Sequence, residues 1–115
     1  TDFFDCPTGL KQGCQTSPNL FSVFATELSH YLNTHGKHGI QLNPGSDEIH
    51  HLLFADDMVV ISDTICGLQN KLNSLYDQCL RLGININLEK TNIVVFRKGG
   101  QLSKYEHWNY GPNII

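Results

Sequence analysis

The stretch His50-His51-Leu52-Leu53-Phe54-Ala55-Asp56-Asp57-Met58-Val59-Val60-Ile61-Ser62 decides the fold. Two apolar runs, each of strand length and rich in strand-favouring residues, flank an adjacent pair of aspartates. With only Asp56 and Asp57 between them, the runs predict a tight antiparallel hairpin with both carboxylates at its tip. Aspartate tolerates the left-handed backbone angles of such turns. Two ionised carboxylates side by side nevertheless repel, and a plain turn more often uses Asn-Gly or Asp-Gly. Adjacent carboxylates on a stiff support suit a hard divalent cation such as Mg2+, which takes oxygen ligands and leaves the rest of its shell to substrate phosphates. The other reading of the dipeptide is a solvated turn that carries two acids.

Working outward, a helix is predicted on each side of the hairpin. Downstream, Asp63 or Thr64 is placed to cap a helix whose apolar positions Ile65, Leu68, Leu72, Leu75, Tyr76, Cys79 and Leu80 keep helical spacing, and Gly83 stops it. Upstream, Ser17-Pro18 is a strong helix start, serine as cap and proline at the first helical position. Leu20, Phe21, Phe24, Leu28, Tyr31 and Leu32 then form one amphipathic stripe, and Gly36 ends it. Residues 37–48, with Gly39, Pro44 and Gly45, read as a loop with a short strand at 39–42.

Residues 84–88 alternate apolar and polar as a half-buried strand does, and 89–91 form a polar turn. Residues 92–96 read as a strand apolar on both faces. Residues 3–6 are a weak strand, and 7–15, with Gly9 and Gly13, a loop with close backbone approaches. A tail with little regular patterning opens at Gly99-Gly100, and its Trp108 and Tyr110 are expected to dock on the rest of the protein. The order is α+β and that of a ferredoxin-like β-α-β-β-α-β unit whose first strand is missing or replaced by residues 3–6.

A chain of 115 residues allows one domain with a modest core. Its 40% hydrophobic and 17% charged residues mark it as globular rather than disordered. A net charge of -3 argues against tight non-specific nucleic-acid binding by this chain alone, because lysines and arginines supply that affinity. The acidic excess suits contact with nucleic acid through metal ions. Cys6, Cys14, Cys66 and Cys79 form no CxxC pair, which argues against a zinc site and favours reduced thiols in an intracellular protein. No leader-like segment and no apolar run near ~18 residues is present, so no membrane association is expected. A start at Thr1 suggests a fragment or processed product.

Three stretches carry a family resemblance. Gly9-Leu10-Lys11-Gln12-Gly13-Cys14-Gln15-Thr16-Ser17-Pro18-Asn19-Leu20-Phe21 resembles motif B of reverse transcriptases, Phe54-Ala55-Asp56-Asp57 their motif C, and residues 82–96 their motif D. The FADD form, with Gly67-Leu68-Gln69 after the hairpin, looks most like the LINE-type, non-LTR retrotransposon enzymes. The resemblance implies an RNA-directed DNA polymerase palm over residues 1–98, with 99–115 leading toward the primer grip and thumb. It further implies an RNA template, a DNA primer and a deoxynucleoside triphosphate as partners, and Mg2+ as cofactor. Asp56 then matches the metal-binding carboxylate of motif C, and Asp57 the second, less critical one. Gln12 and Gly13 match residues lining the incoming nucleotide and template, with Lys11 beside them in reach of a phosphate. Lys90 matches the motif D lysine, a general acid for the departing pyrophosphate or a stabiliser of its charge.

The family also needs an aspartate on motif A, upstream of motif B, and Asp2 and Asp5 lie too close to Gly9 to supply it. The expectation is a partial palm, inactive alone, binding Mg2+ weakly or not at all and prone to self-association through the sheet edge that motif A would cover. The competing readings are a non-catalytic retrotransposon-derived remnant or binding module, and a stand-alone Mg2+- or Ca2+-binding domain. Among the other polar residues, His50 and His51 are expected to be structural, one facing in and one out, and His35 and His38 to be solvated. Taken without the family context, Lys11 and Lys90 read as solvated lysines, and Cys66 and Cys79 as core or boundary residues.

Overall fold

A computed structural model of the chain describes residues 17–35, 38–100 and 106–115. Its elements are α1 (Ser17–His35), β1 (His51–Phe54), β2 (Asp57–Val60), α2 (Ile65–Leu82), β3 (Asn109–Tyr110) and β4 (Asn113–Ile114). They form two separate antiparallel pairs, β1-β2 and β3-β4. The expected strand at 3–6 and loop at 7–15 lie outside the described residues.

Local chemistry accounts for α2 at both ends. The Thr64 hydroxyl accepts the Gly67 amide at 3.1 Å, satisfying one of the free N–H groups of the first turn. At the other end Gly83 takes the left-handed conformation (φ 68°), and the Ile84 amide donates to the Cys79 carbonyl at 2.9 Å. Gly67 is required by space: a Cβ there would come within 2.7 Å of the His38 Cβ and closer still to the Ser62 and Thr64 hydroxyls.

The core forms where α1 meets α2. Leu28 and Leu32 of α1, Leu75 and Cys79 of α2 and Tyr110 of β3 are mutually packed. Met58 and Val60 of β2 and Ile84, Ile86, Leu88 and Ile115 close around them. Tyr76 and Tyr110 meet edge to face with centroids 5.2 Å apart, a favoured arrangement of ring quadrupoles. Residues 38–48 form the expected loop, but the short strand expected at 39–42 is reduced to a single bridge, Ile40 with Ile49, through hydrogen bonds of 3.0 and 2.9 Å.

Two expectations downstream of α2 need correction. Residues 84–88 form no strand, although burial alternates as the sequence pattern requires, with Ile84, Ile86 and Leu88 on the core. The alternation reports which side chains face inward; a strand also needs a neighbouring chain to pair with, and none of the described residues supplies it. Residues 92–96 form no strand either, and the expected two-sided burial fails: Val94 and Val95 are exposed and Phe96 is 94% exposed. Among the described residues the ferredoxin-like order is therefore matched only in its middle, α-β-β-α. Regular structure appears instead in the tail, where β3 and β4 turn through Gly111 (φ 58°) and Pro112. As expected, Trp108 and Tyr110 are docked. Trp108 is buried and its indole N–H donates to the Ile65 carbonyl at 3.3 Å. The Gln69 amide spans both backbone groups of Asn109, each at 2.9 Å.

One face of the β1-β2 hairpin is open. Directly opposed residues share a face, so His51, Leu53, Met58 and Val60 lie on one side and Leu52, Phe54, Asp57 and Val59 on the other. The second set is exposed, Phe54 to 82%. Among the described residues neither outer edge of the hairpin is paired beyond the β1-β2 ladder. An apolar open face beside unpaired backbone favours association. Sedimentation velocity of the 115-residue chain is expected to show self-association at micromolar concentration, shifted toward monomer by Leu52→Lys with Val59→Lys. A monomer with no concentration dependence would contradict this. No described helix is long and apolar enough to cross a membrane.

Candidate functional site

The carboxylate pair sits where β1 turns into β2. The register places Phe54 opposite Asp57, Leu53 opposite Met58 and Leu52 opposite Val59. The two-residue turn is thus Ala55-Asp56, one residue earlier than the expected Asp56-Asp57. Ala55 has φ 52° and Asp56 does not have positive φ, the sign pattern of a type II′ turn with alanine where glycine is usual. The shift leaves Asp56 on the turn and Asp57 at the start of β2. Alanine at positive φ costs on the order of 1 kcal/mol, a strain the flanking β1-β2 ladder holds in place.

Asp56 and Asp57 are both exposed, and neither has an ion-paired partner among the described residues. Lys90 is exposed in a turn organised by Asn87, whose side-chain oxygen accepts the Glu89 amide at 3.1 Å and the Lys90 amide at 3.3 Å. No ion pair joins Lys90 to either aspartate. Lys11, Gln12 and Gly13 lie outside the described residues. A groove of about 330 Å³ runs between the first half of α1 and the hairpin, lined by Phe21, Ser22, Ala25, Thr26 and Ser29 on one side and Leu53 and Ala55 on the other.

The hairpin is braced from behind by polar groups. Ser29 Oγ on α1 and His51 Nε2 on β1 are 2.7 Å apart. The Nδ1 atoms of His50 and His51 are buried and meet no hydrogen-bond partner among the described residues. Burial, with His50 and the Lys71 ammonium adding to it, holds His51 below the ordinary histidine range. His50 lies 3.8 Å from Glu48, whose carboxylate accepts the Gly39 amide at 2.9 Å. Lys71 is buried on α2 and donates to the carbonyls of Ile61, just past β2, and of His38, the latter at 3.1 Å. Burial pulls its amine below the usual lysine range, and Glu48 and Asp63 act the other way.

Two of these residues escaped the sequence reading. Lys71 stands three residues after Leu68 and four before Leu75, so it falls on the apolar stripe of α2, and that spacing was the available signal. Ser29, one residue past Leu28 on α1, carries no signal of its own, because its importance comes from a strand distant in sequence.

The α-β-β-α unit thus presents two adjacent exposed carboxylates, Asp56 on the turn and Asp57 at the start of β2. The family model described as reverse transcriptase (RNA-dependent DNA polymerase) matches residues 2–110, nearly the whole chain. The chain belongs to that family. No solved structure matches it. The donor chemistry fits the Mg2+ that the family implies: Asp56 and Asp57 are hard oxygen donors with no ion-paired partner among the described residues. Among the described residues no group of three or more histidine, cysteine or acidic side chains gathers to complete a cage. Two carboxylates with the remaining oxygens coming from phosphates is a usual Mg2+ arrangement.

Proposed function

We propose that this chain supplies the motif C carboxylates of an RNA-directed DNA polymerase of the LINE, non-LTR type, and that it performs nucleotidyl transfer only where a further carboxylate completes the metal site. The observation that supports this reading is the hairpin itself, with Asp56 on its turn, Asp57 at the start of β2 and no salt bridge to either among the described residues. Asp56 and Asp57 would hold Mg2+, which would supply activation of the primer 3′-hydroxyl and charge stabilisation for the leaving pyrophosphate. By the family resemblance, Gln12 and Gly13 would serve the incoming deoxynucleoside triphosphate and the RNA template, and Lys11 a phosphate. Lys90 donates a proton to, or balances the charge of, the departing pyrophosphate.

Mn2+ is the probe of choice, because it takes the same oxygen ligands and broadens nearby nuclear magnetic resonances. Titrated into the 15N-labelled chain, it is expected to broaden amides over residues 54–59 with a half-point on the order of 1 mM, weak because only two carboxylates contribute. Asp56→Asn abolishes the effect. Broadening centred on His50 and His51, or unchanged in Asp56→Asn, overturns the assignment of the ligands. The purified 115-residue chain is also expected to give no Mg2+-dependent extension of a DNA primer on an RNA template. Extension above the level of an Asp56→Asn, Asp57→Asn control would refute the need for a further carboxylate.

A further inference from the structure

Ser29 and His51 join α1 to the strand that leads into the carboxylate turn. Ser29 lies in the first two-thirds of α1, on the groove that separates this helix from Leu53 and Ala55. Leu28 and Leu32, which flank Ser29 in sequence, hold this stretch of α1 against α2, and the hydroxyl–imidazole contact ties the same stretch to the hairpin. We propose that this contact is a proton-sensitive brace: neutral His51 fixes the carboxylate hairpin against α1, and protonation of His51 loosens the hairpin along the groove. The consequence for catalysis rests on the function proposed above; the brace does not.

The geometry carries the proposal in three steps. In the neutral ring only one nitrogen bears hydrogen, so the Ser29 hydroxyl satisfies Nε2 whether it donates or accepts. Protonation makes both nitrogens donors, and Nδ1 is buried with no acceptor among the described residues. The new charge then stands in poorly hydrated surroundings. Among the described residues the charged and titratable groups that act on it are Lys71 from α2 and His50, just before β1, and both oppose a positive charge. From α1 the facing group is Ser29, and from β2 the opposed residue is Val60; neither offers a counter-charge. The added Nδ1 proton has no acceptor among the described residues, and parting of β1 from α1 at the Ser29 contact gives it water.

The sign of the pH effect follows from linkage. In the unfolded chain histidine titrates near ~6.5, and in the folded chain His51 titrates lower. Above ~6.5 both states are neutral and the residue contributes nothing to pH dependence. As pH falls below that value the unfolded state takes up the proton first, and the folding constant drops by up to about tenfold per pH unit until folded His51 itself protonates. The test follows the His51 ring Cε1–H resonance and amide hydrogen exchange from pH 8 to pH 5 in the 115-residue chain. The expected result is a His51 midpoint below ~6.5, with protection in residues 22–29 and 51–54 lost before protection in α2. His51→Gln, which keeps a group able to bond Ser29 but does not titrate in this range, is expected to remove that local loss. If the variant does not fold, the wild-type titration still decides. A His51 midpoint at or above ~6.5, or simultaneous loss of protection in α1 and α2, overturns the brace. Failure of Mn2+ to bind Asp56 leaves these readouts unchanged, so the two proposals fail separately.

Discussion

Leu32→Ala is expected to lower the unfolding free energy by about 3–4 kcal/mol, enough to remove most of the stability of a domain this small. Leu32 is 2% exposed and sits in the seam between α1 and α2, against Leu28, Leu75, Cys79 and Tyr110. Its neighbours come from three different elements, so no single side chain can relax into the space that truncation leaves. The lost transfer free energy and the cavity then add. Val23→Ala on the same helix is the control. Val23 is 71% exposed, and its replacement should change stability by about 0.5 kcal/mol or less. Urea titrations followed by circular dichroism compare the two. Equal losses for both variants would mean that α1 is not packed against α2 as described, and the placement of the hairpin would fall with it.

The helices were legible because periodicity and caps agree. Thr64 and Gly83 bound α2 as their chemistry predicts, and Leu28 and Leu32 of the α1 stripe are buried. The same stripe overreached at Phe21, which is exposed beside the groove. The hairpin was legible to within one residue. The difference turns on Ala55, because no propensity rule would place alanine at φ 52° in preference to either aspartate. Residues 92–96 misled because a run of Ile93, Val94, Val95 and Phe96 encodes a preference for burial but not the presence of a partner. Ser29–His51 and Lys71–Ile61 were not legible for a related reason. Each joins residues whose proximity exists only after the helices and hairpin have packed.

Lys71→Met is expected to destabilise the chain by about 2 kcal/mol, although it replaces a buried ammonium with an apolar side chain of similar length. Two effects compete. Removing the charge relieves desolvation, the larger influence on this amine. Against that, the Ile61 carbonyl loses its lysine donor, and the His38 carbonyl keeps only the Asp63 amide at 3.3 Å. An unsatisfied buried carbonyl costs about 1–3 kcal/mol, and the Lys71 bonds are charge-assisted with Glu48 and Asp63 favouring the cation. The losses therefore outweigh the gain, and they fall on the loop and the strand end that hold β2 in place.

The two effects separate with pH. Because the folded amine titrates below the unfolded value of ~10.4, the unfolded state holds the proton longer as pH rises, and the lysine protein gains stability through that interval. Lys71→Met lacks this gain. The difference in unfolding free energy between wild type and variant should therefore widen from neutral pH toward pH 10. A variant as stable as wild type at pH 7 would show that the ammonium is tolerated at this position rather than used to tie Ile61 and His38 to α2, and a difference that narrows with rising pH would show that folding raises this amine instead of lowering it.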